Sequence, residues 1–467
     1  MNTTASPNLT SALAGFATGT IHTSRAARLI TCLSALDWLA VGRAGADEPV
    51  ARIVRDQALA DGGAGQAAVF GSNVALPARA AALVNGVVGH ALDYDDTHFA
   101  HLGHPSAAVF PAALAVGEVM DAALVDVLEA ALVGMEVSIR IGLWLGRGHY
   151  QVGFHQTATA GAFGAAAAAG RLAGLDAGQV GHVLGLTATR AAGLKAQFGT
   201  MGKPYNAGLA AESGVGAAQL VARGFQANPQ ALQGDYGFGA THHGAEDVDA
   251  ALAGLGEDWL FETVSHKFHA CCHGLHAALE AARDLDIAAP EIAEMVVTVH
   301  PRWMSVCNQP APETGLGAKF SFRTVLAMRA LGHDTARLES YSAAVCADPR
   351  LVALRERITV QGDDSLSETT AALTVLRRDG ARLEVRHDLQ NQISLSDRED
   401  RVRVKAAGLI GTDMRTRFGA CCAVAGRPQG WPGCCTRETG HLRPAHPPLW
   451  ASSRVSCSCH RRARHGC

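Results

Sequence analysis

Lysine is scarce in this 467-residue chain: only five of its 40 basic residues are Lys, at 195, 203, 267, 319 and 405. Charged residues make up 18% and aromatics 5%, against roughly 25% charge in an average soluble protein. So little charge implies extensive burial, in a large core and in an oligomer. The net charge of −3 gives no basis for a nucleic-acid or anionic-membrane partner. No run of about 18 strongly apolar residues is present, so no membrane span is expected. The Ala/Gly-rich stretch Thr157–Gly170 comes nearest, and it fits a helix packed through small faces. The N-terminus has no basic segment before its apolar residues, which argues against a secretory signal.

Cysteine is unevenly spread. Seven of the 12 lie within Phe418–Cys467, a stretch with seven Arg, five Pro, one acid and no Lys. That tail carries +6 in a chain of −3, leaving −9 for residues 1–417. The other five Cys are odd in number and lack framework spacing, so a reduced, cytoplasmic compartment is expected. Periodicity is lost after residue 418, and the tail has the composition of a disordered or frame-shifted segment.

Length allows two or three domains. Residues 24–270 show apolar spacing of helical period, broken by Gly-rich loops. Near residue 290 the pattern turns to short alternating segments: Ile292–His300, Arg355–Gln361, Thr369–Arg378 and Ala381–Asp388. Asp379-Gly380 predicts a type I′ hairpin. The expected fold is mainly α: an all-helical domain over 1–265, a smaller α+β lid over 266–395, a return helix over 396–417, then the tail.

Four segments concentrate chemistry. The first, residues 89–106, holds Asp93, Asp95, Asp96, Thr97 and His104, the last just before Pro105 and Ser106. Clustered carboxylates need cations or donors between them, and Pro105 suits a helix start, which favours an anion beside His104. The second places His155 before the Ala/Gly helix. The third holds Lys203 in a Gly-rich loop, suited to a carboxylate. The fourth, residues 266–276, holds Lys267, Cys271, Cys272 and four His (266, 269, 273, 276). Its spacing is poor for zinc, and no metal is expected. Cations, imidazoles and carboxylates together suit proton transfer next to a carboxylate.

The stretches HALDYDDTHFAHLGHPSAAVFPAALAVGE, GFHQTATAGAFGAAAAAGRLAGL, FGTMGKPYNAGLAA and KFHACCHGLHAALEA, with AKFS at Ala318–Ser321, resemble the MmgE/PrpD family in order and spacing. Members include 2-methylcitrate dehydratase, cis-aconitate decarboxylase and iminodisuccinate epimerase. The resemblance implies a homodimer acting on a small di- or tricarboxylate without metal or organic cofactor. It implies Asp93, His104, His155 and Lys203 as catalytic residues. Thr97, Lys267, Cys272 and His276 would bind substrate. Cys272 stands where some decarboxylase-type members have His, and Phe322-Arg323 follows AKFS where a Pro-Tyr is usual. The leading expectation is a cofactor-free lyase, by dehydration or decarboxylation. A dicarboxylate epimerase, a metal hydrolase built on His266, His269, Cys271 and His273, and a non-catalytic binding protein are the alternatives.

Overall fold

Small residues set the first half of the architecture, because only they let so many helices approach closely. The computed structural model describes residues 8–283, 285 and 289–411; the Cys/Arg/Pro-rich tail and the end of the expected return helix lie outside the described residues. Among the described residues, nine α-helices lead: α1 (Leu9–Thr18), α2 (Arg25–Gly45), α3 (Pro49–Asp61), α4 (Ala78–His90), α5 (Pro105–Val119), α6 (Leu124–Gln151), α7 (Gln156–Leu172), α8 (Ala177–Ala188) and α9 (Gly202–Val221). Side chains cap several of them, as Ser24 does for α2 and as Asp176 with Gln179 does for α8. The Ala/Gly helix α7 is buried from Gln156 to Gly170. A Cβ on Gly134 of α6 would come within 2.6 Å of the Gly164 carbonyl of α7. No single described helix is long and apolar enough to cross a membrane.

The second part begins with α10 (His276–Arg283), β1 (Ile292–Val299) and α11 (Phe322–Ala330). Then come β2 (Ile358–Gly362), β3 (Thr370–Arg377) and β4 (Arg382–Asp388). The sheet order is β2-β1-β3-β4, with β1 and β2 parallel and the other pairs antiparallel. Met295, Val297 and Val299 alternate into a core shared with Phe322, Val325 and Leu326. The β3–β4 connection corrects the type I′ expectation. Gly380 N–H bonds to the Arg377 carbonyl and Gly380 has φ 89°, while Asp379 is not left-handed. This is a type I turn followed by a left-handed Gly, which adds a residue and a bulge that a two-residue turn lacks.

The last described helix, α12 (Leu395–Ile410), returns to α2. Val402 and Ala406 pack on Leu33, Leu36 and Ala40. Beside them Lys405 pairs with Asp37 at 2.6 Å and donates to the Tyr94 carbonyl, also at 2.6 Å. The architecture is mainly α with a small α+β part.

Candidate active site

Four helix ends deliver the site. His90 closes α4, His104 is the N-cap residue of α5, His155 is that of α7, and Lys203 lies in the first turn of α9. Three of these are N-termini, where unpaired N–H groups and the helix dipole favour an anion. Lys267 arrives from the segment that leads into the sheet-containing part.

Asp93 is the meeting point. Lys203 Nζ lies 2.6 Å from one carboxylate oxygen and Lys267 Nζ 2.9 Å from the other. Lys267 also donates to the Asp93 carbonyl at 2.6 Å. Asp93 has φ 51°, a left-handed conformation that costs a non-glycine residue about 1 kcal/mol. The double grip of Lys267 on its main chain and side chain holds that conformation. Burial pushes the Asp93 carboxyl up, but the two ammonium groups outweigh it and hold it well below the usual range. Lys267 is 1% exposed; burial works against its charge, yet Asp93 and Asp95 raise it above the ordinary lysine range.

Asp95 organises the imidazoles. His90 Nδ1 lies 2.9 Å from one of its oxygens, and His104 Nδ1 lies 3.1 Å from the other. The second contact is within ion-pair reach but bent for a hydrogen bond. Both ring nitrogens face carboxylate oxygens, and the nearer one at Asp95 favours the proton on Nδ1, which leaves Nε2 as the acceptor 3.5 Å from Asp93. Burial lowers His104 to about 4, so the ring is neutral near pH 7. His155 has the opposite arrangement. The Asn206 amide donates to the Leu194 carbonyl, and its nitrogen also lies 3.3 Å from His155 Nδ1. That makes Nδ1 the acceptor and leaves the proton on Nε2. Burial, with Lys203 adding, pushes His155 well below its usual value. Phe198 meets the His155 ring edge-on at 4.9 Å and lies under Lys203 at 5.4 Å.

The remaining expected residues stand one step away. Thr97 Oγ1 lies 2.7 Å from His273 Nδ1 and its backbone pairs with Ser265. His276 is 2% exposed, between the rings of His269 and His273, with Nε2 unpartnered. Cys272 is half-buried; a hydrogen bond from buried Cys307, with Lys267 beside it, draws its thiol down to about 7. Beyond the expected catalytic and binding residues, the structure brings in His90 and Asp95, and it turns His273 to Thr97 rather than to a metal. Asp95 and His90 sit in the first motif, five residues apart, and their pairing was the available signal.

The His90, Asp93, Asp95 and His104 ligand atoms lie within 4.8 Å of one another. The set is ill-suited to a dication, because two ammonium groups and two imidazole N–H groups already meet its carboxylates. The His/Cys segment at 266–276 disperses. His266 turns to Ser34, His269 to Thr335 and Glu280, and His273 to Thr97.

The descriptions MmgE/PrpD N-terminal domain and MmgE/PrpD C-terminal domain match residues 11–251 and 269–412. The chain belongs to the MmgE/PrpD family. Among family relatives, the cis-aconitate decarboxylase of Aspergillus terreus is 33% identical over 242 residues, 49% of each chain. The human cis-aconitate decarboxylase is 27% identical over 366 residues, 73% of this chain and 75% of the human one. The chain thus spans about half the length of the fungal relatives it matches.

Proposed function

We propose that the protein is a cofactor-free lyase of a small polycarboxylate, with decarboxylation of a cis-aconitate-like tricarboxylate as the leading reaction. The carrying observation is the convergence of Lys203, Lys267 and His104 on Asp93, with His155 beside them against the Phe198 ring that also lies under Lys203. Lys203 and Lys267 hold substrate carboxylates and stabilise the negative charge that develops as a carboxylate leaves as CO2. The electron pair freed by C–C cleavage shifts the double bond and is quenched by a proton at carbon. His155, carrying its proton on Nε2, is the donor. His104, with Nε2 as acceptor, takes the base role in a dehydration. The two low imidazole pKa values belong to the ligand-free site; a polyanion beside the rings opposes burial and favours their protonated forms. Asp93 spaces the two lysines, and Cys272 and Thr97 line the neighbouring wall. A homodimer is part of the same reading, and light scattering tests it.

Incubation of the purified chain with cis-aconitate should release CO2 and give an unsaturated dicarboxylate visible by NMR. Inactivity on both cis-aconitate and 2-methylcitrate would overturn the lyase reading. The opposite tautomers of His104 and His155 support a second reading, epimerisation of a dicarboxylate, since that needs one donor and one acceptor around one carbon. Solvent deuterium entering the substrate without net elimination would select it.

A further inference from the structure

A second group of charges lies on the seam between the helices and the sheet-containing part. Lys195 Nζ lies 3.9 Å from the ring centre of Tyr150, and the Arg302 guanidinium lies 5.4 Å from it. Lys195 also donates to the Tyr150 carbonyl at 3.0 Å. Arg302 pairs with Glu368 at 2.5 Å, and Arg147 shares that carboxylate at 3.0 Å. Two arginines therefore share one carboxylate, and with Lys195 the group sets three cations against a single acid.

The group borders the Asp93 site. Lys195 N–H donates to the Gly153 carbonyl and His155 N–H to that of Gly193, so Lys195 and His155 lie on paired segments. Trp303, next to Arg302, covers Gly274 so closely that a Cβ there would overlap the indole. Gly274 is two residues from Cys272. The Tyr150 hydroxyl is raised by burial, with Arg302 and Cys272 both close enough to act on it.

Charge balance gives the group a purpose. Inside the site, Lys203 and Lys267 are matched by Asp93 and Asp95, and His104 is neutral near pH 7. A tricarboxylate thus finds little uncompensated positive charge there. We infer that Lys195, Tyr150 and Arg302 form a second carboxylate subsite, which takes the substrate carboxylate farthest from the reacting carbon. The inference deepens the proposed function and rests on its polycarboxylate reading. Glu368 takes Nη1 of Arg302, and Lys195 spends one of three N–H donors on Tyr150. A planar guanidinium and an ammonium on either side of a phenol suit a carboxylate at a rim.

Binding measured by calorimetry on the full chain tests this without requiring turnover. The probes are the unreactive tricarboxylate tricarballylate and the dicarboxylate glutarate. The wild type should prefer tricarballylate by ~10-fold or more. Lys195→Met and Arg302→Met should each remove most of that preference and change glutarate binding less than about 2-fold. Glu368→Gln breaks the ion pairs across the seam but keeps the cations, so tricarballylate binding should hold or tighten. Equal affinities in the wild type would overturn the subsite alone. So would equal losses for both probes in Arg302→Met, or a Glu368→Gln loss as large as that of Arg302→Met, which would mark a mere latch. If the methionine variants do not fold, the wild-type preference and the Glu368→Gln result still decide. Failure of both probes to bind would instead remove the polycarboxylate reading itself.

Discussion

Asp95 is the residue on which both neighbouring imidazoles depend. Replacing it by Asn keeps the shape but lets the amide present a donor where the His90 N–H donates or the His104 ring rests against a carboxylate oxygen. We expect Asp95→Asn to lower kcat by ~10²-fold or more with a smaller change in KM, read by steady-state kinetics. Lys203 and Lys267 should separate by assay. Lys267 is buried and grips Asp93 by backbone and side chain. Lys267→Met leaves that carboxylate short of a partner and should cost about 3 kcal/mol of stability, measured by urea unfolding. Lys203, with 16% of its side chain exposed, should lose activity with little loss of stability when changed to Met. Motifs made Asp93, Lys203, Lys267 and His104 legible in the sequence, since each is an unusual residue in its loop. His90 and His273 were not legible as partners. One sits at the end of an apolar helix, and the other bonds Thr97 from 176 residues away.

At the scale of elements, the periodic segments from α2 to α9 and the four strands were legible because burial imposes their spacing. The Ala/Gly stretch expected as a helix at Thr157–Gly170 lies in α7, Gln156–Leu172, and the return helix expected over 396–417 is Leu395–Ile410. The hairpin type was missed because Asp-Gly serves both two-residue turns and turns with a following left-handed Gly. The α6–α7 contact explains why the Ala/Gly run is so extreme. A side chain at Gly164 must push the Gly134 backbone away, and His155 stands at the head of the same helix. Gly164→Val should destabilise the fold by about 1–3 kcal/mol and lower kcat as well. An unchanged urea midpoint would contradict the close approach.

Over the whole molecule, buried neutral histidines set the response to acid. Burial holds His98, His101 and His104 at about 4, 3 and 4, against about 6.5 in an unfolded chain. Above that value neither state is protonated at these groups. As pH falls from there toward 4, the unfolded chain gains protons that the folded one refuses. Each group then removes up to about 1.4 kcal/mol per pH unit. Asp37 and Asp96 act with the opposite sign. Burial raises them to about 6 and 7, so the folded state protonates first and gains stability on acidification. His155, His266, His273 and His276 are also pushed down by burial and join the larger side. The melting temperature should therefore drop between pH 6.5 and 4; a flat or rising profile by scanning fluorimetry would refute this balance.

The tie from Lys405 to Asp37 and to the Tyr94 carbonyl also sets an order in time. Tyr94 lies between the two carboxylates that organise the site, and its support comes from a residue made 311 positions later. A growing chain carries every motif long before it carries that anchor. Until α12 emerges, Asp37 has no matching cation from Lys405, and the Asp93–Asp95 loop has no floor. Catalytic competence in this protein is thus expected only once α12 has been made, and a product ending before Leu395 should hold all the site residues and none of the activity.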